Sequence, residues 1–305
     1  MNKFKKTIYN ILRNYVKKYL TGNLGKVVED EEKITCYVEK NKIKKEGYRY
    51  IISCRGIGKV EEQNKIAKAY NLDKPICYVI DGFESKNNVN IYGSSNCEII
   101  VRNCNFMFDV FISVDGKCIL DNTVIQFFSN LSISADELII KNTSLGQIDI
   151  ITHKSNVRVN ACKKVDVVNS NIGNRKQDIN VSFIATNELN LVNSNIRGKE
   201  VLCESSKIVA DKNSSLIATN KVNLQTDNFS SINIDAPTIV LNGEEIENNK
   251  KSVVLKETNP LALKRLELVN LLKKVKIQCE NINLKKVLEY QEELNIQPVR
   301  KVLKK

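Results

Sequence analysis

Cleaving a glycosidic bond takes two carboxylates a few ångströms apart, and holding a hard cation takes several oxygen ligands. Six asparagines recur along the middle of this 305-residue chain: Asn103, Asn122, Asn142, Asn169, Asn193 and Asn213. The position before each reads Arg102, Asp121, Lys141, Val168, Val192 and Lys212, which is no column of acids. The one histidine, His153, has only Asp149 and Arg158 nearby as candidate partners. Nine cysteines (36, 54, 77, 97, 104, 118, 162, 203 and 279) are odd in number and lack C-x-x-C spacing, so neither a disulfide framework nor a zinc ribbon is expected. The segment CRGIGKV lacks the first glycine and the Ser or Thr of a phosphate loop, so Gly56 and Gly58 read as turn residues. The expectation is a protein without catalytic residues, metal or cofactor.

The asparagines belong to a repeat: apolar, any, apolar, any, Asn, a small residue, any, apolar. Copies are EIIVRNCNF ending at Phe106, CILDNTVI, LIIKNTSL, VDVVNSNI, LNLVNSNI and IVADKNSSL ending at Leu216. Successive asparagines are 19, 20, 27, 24 and 20 residues apart. About twenty residues make one turn of three short strands with corners, and the longer steps leave room for loops extruded from a corner. Asparagine suits such corners because it tolerates the left-handed conformation and its amide can bond to stacked copies. Small residues follow it: Cys104, Thr123, Thr143, Ser170, Ser194 and Ser214. An antiparallel sandwich would also alternate, but the repeat keeps one polarity and Asn-Gly hairpin signals are nearly absent.

The expected fold is therefore mainly β, a single-stranded parallel β-helix of about eight coils over residues 76–247, with helical caps at its N- and C-terminal ends. The repeat resembles the right-handed parallel β-helices of the pectin-lyase-like superfamily. The stretch KIVADKNSSLIATNKVNLQTDNFSSINIDAPTIVLNG is similar to the compact coils of bactofilins. The first resemblance implies a right-handed coil and, in its enzymes, stacked acids acting on polysaccharide; the Asn-Thr-Asp, Asp-Asp and Gly-His-Gly signatures of polygalacturonases are missing here. The second implies a structural, scaffolding role with self-association. Bactofilins carry flexible tails beside a bare stack, whereas both ends of this chain read as helical, which weighs against end-to-end polymerisation.

Residues 1–24 hold a basic amphipathic helix. Phe4, Ile8, Ile11, Leu12, Tyr15, Val16 and Tyr19 recur at helical spacing, with Lys3, Lys6, Arg13, Lys17 and Lys18 mostly opposite. It could cap the first coil with its apolar face, or dock on an anionic membrane through residues 1–20. Residues 25–75 read as a small mixed segment, with strands in KITCYVEKN and YRYIISC and a helix near VEEQNKIAKAYNL leading to ICYVIDGF. Residues 248–305 read as a helical hairpin with a basic tail, opened by Asn259-Pro260, and offer a surface for a protein partner.

The formal net charge is +12, with 18 basic against 9 acidic side chains in residues 1–75, 16 against 20 in 76–250 and 13 against 6 in 251–305. The mildly acidic middle would repel a polyphosphate backbone, so nucleic acid is not an expected partner. Arg13, Asn14, Lys17 and Lys18 interrupt any signal-peptide core, and the reduced cysteines point to a cytoplasmic setting, peripheral at the inner membrane face if the helix binds lipid. A polysaccharide-binding or polysaccharide-cleaving β-helix is the alternative reading, disfavoured by 6% aromatic content, since sugars stack on flat rings.

Overall fold

The computed structural model describes residues 3–54, 61–94, 97–127, 130–147, 155–173, 179–246 and 252–255. The chain opens with helix α1 (Lys3–Leu20), then β1 (Gly25–Glu29), β2 (Ile34–Val38), β3 (Lys44–Glu46), β4 (Arg49–Cys54), α2 (Glu61–Ala69) and β5 (Ile76–Asp81). From there to Leu255 the described residues are nearly all strand. The strands stack in parallel as a β-solenoid of about seven turns.

Three faces build each turn. The first runs through β2, β5, Cys97–Arg102 and the later halves of Val110–Asp121, Asn130–Lys141 and Ser155–Val168, then Glu188–Val192 and Lys207–Ala210. The second follows the asparagine corner, from Glu84–Ser85 to Ile232–Asp235. The third runs from β4 through Asn88–Gly93 to Thr238–Leu241. Within a face the register is in step, so each interior side chain lies on its copy one turn away. One such column is Cys36, Tyr78, Ile99, Cys118, Leu138, Val165, Leu189, Ile208 and Phe229, all buried. Strand side chains alternate in direction, and this is why the apolar-any-apolar spacing of the repeat fills the interior.

Two sequence expectations change. The stack has about seven turns where about eight coils were expected. Parallel pairing also begins before residue 76, since β2 already pairs with β5, and β4 with Asn88–Gly93. The segment read as leading into the stack supplies its first rungs, and β4 and β5, which flank α2, lie on different faces. The expected C-terminal helices lie outside the described residues.

Open strand edges are closed by reversal of the chain. At the first turn β1 pairs antiparallel with β2, and β3 with β4. Gly25 is required there, because a Cβ on it would stand 1.9 Å from the Tyr37 carbonyl oxygen. At the last turn Glu244–Ile246 folds back on Thr238–Leu241, and Ser252–Leu255 lies antiparallel to Ile232–Asp235. Asn242 and Gly243, both at positive φ, make the first of these a tight two-residue hairpin.

Candidate functional site

The repeated corner is the most regular polar feature of the solenoid. Asn103, Asn122, Asn142, Asn169 and Asn193 all adopt the left-handed conformation, with φ from 47° to 53°. Their exposed amides form a ladder: Asn103 donates to Asp81, Asn122 to Asn103, Asn169 to Asn142 and Asn193 to Asn169, at 2.8 to 3.4 Å. Asn142 breaks the run by donating to Asp121 instead. Hydrogen bonds from Asn103 and Arg102 hold the Asp81 carboxyl below its usual range, as suits a terminal acceptor.

Asn213 does not join the row. Leu191 pairs with Ala210 and Asn195 with Ser215, so the last corner is one residue longer. Asp211 closes it, accepting from the Asn193 backbone N–H at 3.1 Å and from the Ser214 hydroxyl at 2.6 Å. At the other end Gly82, with φ 63°, takes the equivalent position. The Asp81-Gly82 pair is a turn signal that the search for asparagines passed over.

Behind the amides runs a second, buried ladder. Thr123, Thr143, Ser170, Ser194 and Ser214 point inward and are nearly inaccessible. The amides of Thr143, Ser170 and Ser194 each donate to the hydroxyl of the next turn at 3.1 Å. Each of these hydroxyls in turn donates to a carbonyl two residues back or to Asp211. The left-handed corner takes these amides out of the sheet ladder, and the hydroxyls satisfy them. This is scaffolding rather than chemistry.

Other candidates for chemistry come apart. His153 and Asp149 lie outside the described residues, as do Gly56 and Gly58. Arg158 lies exposed on the third face, at a recess of about 310 Å³ shared with Asn180, Ser182, Glu200, Lys221 and Asn223. Glu200 is its sole carboxylate among the described residues, and it accepts from Asn220 at 2.9 Å. Seven described cysteines are free and buried. Burial pushes the Cys118 and Cys203 thiols up to about 12 and the Cys36 thiol up to about 11, so they stay protonated and inert. Among the described residues no group of three or more His, Cys, Asp or Glu side chains is placed to hold a metal ion.

What remains is α1. Its inward side is the polar one. Arg13 donates to both oxygens of Glu29 at 2.6 Å, and to the backbone carbonyls of Tyr70 and Asn71 beyond α2. Lys17 and Lys74 reach the same carboxylate at 2.8 and 3.1 Å. Burial alone would raise the Glu29 carboxyl, but the bonds from Arg13, Lys17 and Lys74 outweigh it and hold the group at about 2. Tyr9 stacks on Tyr70 with centroids 5.7 Å apart, and Val16 and Leu20 are the buried apolar residues of the helix. Thr21, fully buried, ends the helix by donating its hydroxyl to the carbonyls of Lys17 and Lys18.

The outward side is apolar. Phe4, Ile8, Ile11, Leu12, Tyr15 and Tyr19 form one exposed stripe, with Phe4 71% and Tyr15 73% accessible. Lys5, Lys6 and Lys18 stand exposed on the same helix, and Lys3 begins it. Of the seven residues of the sequence-read apolar stripe, only Val16 packs on the body. Arg13 and Lys17, opposite the apolar stripe as read from the sequence, face inward to Glu29 on β1 and, for Arg13, the carbonyls after α2. Closing the first turn falls to β1 and β3. Among the described residues no helix is long and apolar enough to cross a membrane. Compared with known proteins, the chain matches no family model, no curated protein and no solved structure.

Proposed function

We propose that this chain is a non-catalytic scaffolding solenoid that rests on an anionic membrane surface through the outer face of α1. The observation that carries the reading is the exposed stripe Phe4, Ile8, Ile11, Leu12, Tyr15 and Tyr19, on a helix docked by its polar side. Residues 1–28 contain seven Lys and Arg and no Asp or Glu. Pairing this face with the same face of a second copy would bring two strongly basic helices together. An anionic interface accepts both the apolar stripe and the flanking lysines, each worth about 1 kcal/mol near such a surface. Antiparallel strands stand at both ends where another copy's coil would have to add, which weighs against end-to-end assembly. Among the described residues the third-face recess has one carboxylate, Glu200, where cleaving a glycosidic bond takes two.

Vesicle flotation tests the proposal. The protein should float with vesicles containing phosphatidylserine and remain below with neutral phosphatidylcholine vesicles. An Ile8→Glu, Ile11→Glu variant, altered at exposed positions, should stay below with both. Wild-type protein that stays below with anionic vesicles would remove the membrane role.

A further inference from the structure

Charge at the base of the solenoid is lopsided along the β1–β2 hairpin. Its turn carries Asp30, Glu31 and Glu32, all exposed, at the end where Glu29 pairs with Ile34. At the other end, where Gly25 pairs with Val38, the chain enters an exposed basic stretch with Lys40, Lys42, Lys44 and Lys45. The two ends of the hairpin are about 14 Å apart at strand spacing. The basic stretch is anchored: Ile43 is buried, and the Glu39 amide donates to the Leu24 carbonyl at the exit of α1, 2.9 Å away. It continues into the β3–β4 hairpin, where Glu46 pairs with Arg49 and the turn presents Tyr48, 88% accessible. The Lys45 ammonium lies over the Tyr50 ring at 5.6 Å, and Lys44 pairs with Glu46. An exposed aromatic tip among lysines has the makings of an interfacial contact, whereas the acidic turn would be repelled by the same surface.

We infer that the membrane contact has two points: the β3–β4 hairpin, with Tyr48 at its tip, lies on the anionic lipid beside α1, and the Asp30–Glu32 turn is held away. The solenoid then stands tilted on its first turn, with the face bearing Tyr48 toward the bilayer. This rests on the membrane reading of α1.

The chain has no tryptophan, so single-tryptophan variants report depth without background. Tyr15→Trp, Tyr48→Trp and Glu31→Trp, all at exposed positions, are mixed with phosphatidylserine vesicles carrying brominated acyl chains. Tyr15→Trp and Tyr48→Trp should shift to the blue and be quenched, and Glu31→Trp should do neither. Quenching at position 15 with none at 48 would overturn the second contact and leave the α1 reading standing. Equal quenching at 48 and 31 would overturn the tilt. No quenching at any position would end the membrane reading and this inference with it. In a second arm, Lys42→Gln, Lys44→Gln, Lys45→Gln should weaken vesicle affinity by roughly fivefold per lysine removed. Unchanged affinity, with Tyr15→Trp still quenched, would overturn the hairpin's part.

Discussion

The middle of the solenoid and its base solve the same problem by opposite means. In the middle, every turn has a copy above and below, so one residue type satisfies its own copy: asparagine to asparagine, hydroxyl to amide, leucine on valine. At the base there is no copy below, and the chain turns to unique side chains: one glutamate on β1 gathers two cations from α1 and a third from the loop before β5. Translation fixes the middle so tightly that little freedom is left for function there. The base is free to differ, and it holds both the exposed apolar stripe and the basic hairpin.

Substitutions can break or sharpen this contrast. The largest effect should come from the middle: Leu189→Ala, in a column packed between Val165 and Ile208, should cost about 2–5 kcal/mol by chemical denaturation. A loss confined to one turn in hydrogen exchange would show that the turns are less coupled than their packing implies. At the base, Glu29→Gln should cost roughly 2–3 kcal/mol, but locally, as faster exchange over residues 3–20 with the solenoid intact. The same group gives α1 docking a pH dependence. The carboxyl titrates lower folded than unfolded, so its contribution is complete above pH 4.5 and fades as pH falls toward 2. Helix exchange that ignored this window would mean that Tyr9, Val16 and Leu20 hold α1 alone.

Two finer tests separate the ladders. Ser194→Ala leaves the buried Ser170 amide without its 3.1 Å acceptor and should cost about 1–2 kcal/mol, measured as a drop in the denaturation midpoint. Asn142→Ala should cost about 1 kcal/mol and Asn142→Gly less, because the position needs positive φ more than it needs the amide. Equal costs for the two would assign the stability to the amide ladder instead. A rank order in which Asn142→Ala exceeds Ser194→Ala would reverse the roles given to the exposed and buried rows.

Much of the stack was legible in the sequence because its signals are local. An asparagine at positive φ, a small residue after it and an apolar residue at every second position are each properties of a few neighbouring residues, and repetition sets them above chance. The errors came where locality failed. Asn213 carries the motif, yet one extra residue in its corner hands the closing role to Asp211. Gly82 does the work of an asparagine without looking like one. The direction of the small residues is set by stacking, which puts Thr123 and Ser194 inside, bonded across turns.

The sequence by itself determined the period, the strand alternation, the corner residues and the presence of an amphipathic helix, since spacing along a chain fixes which side chains share a face. Which face of α1 meets the body was decided only by tertiary structure. The hydrophobic pattern favoured burying the apolar side, but Glu29, the Tyr70 carbonyl and the Tyr70 ring lie 16 to 61 residues along the chain from the α1 side chains they meet. Once the fold places them under the helix, Arg13 and Lys17 find their partners on the inward side, and the apolar stripe of the same helix is left outside.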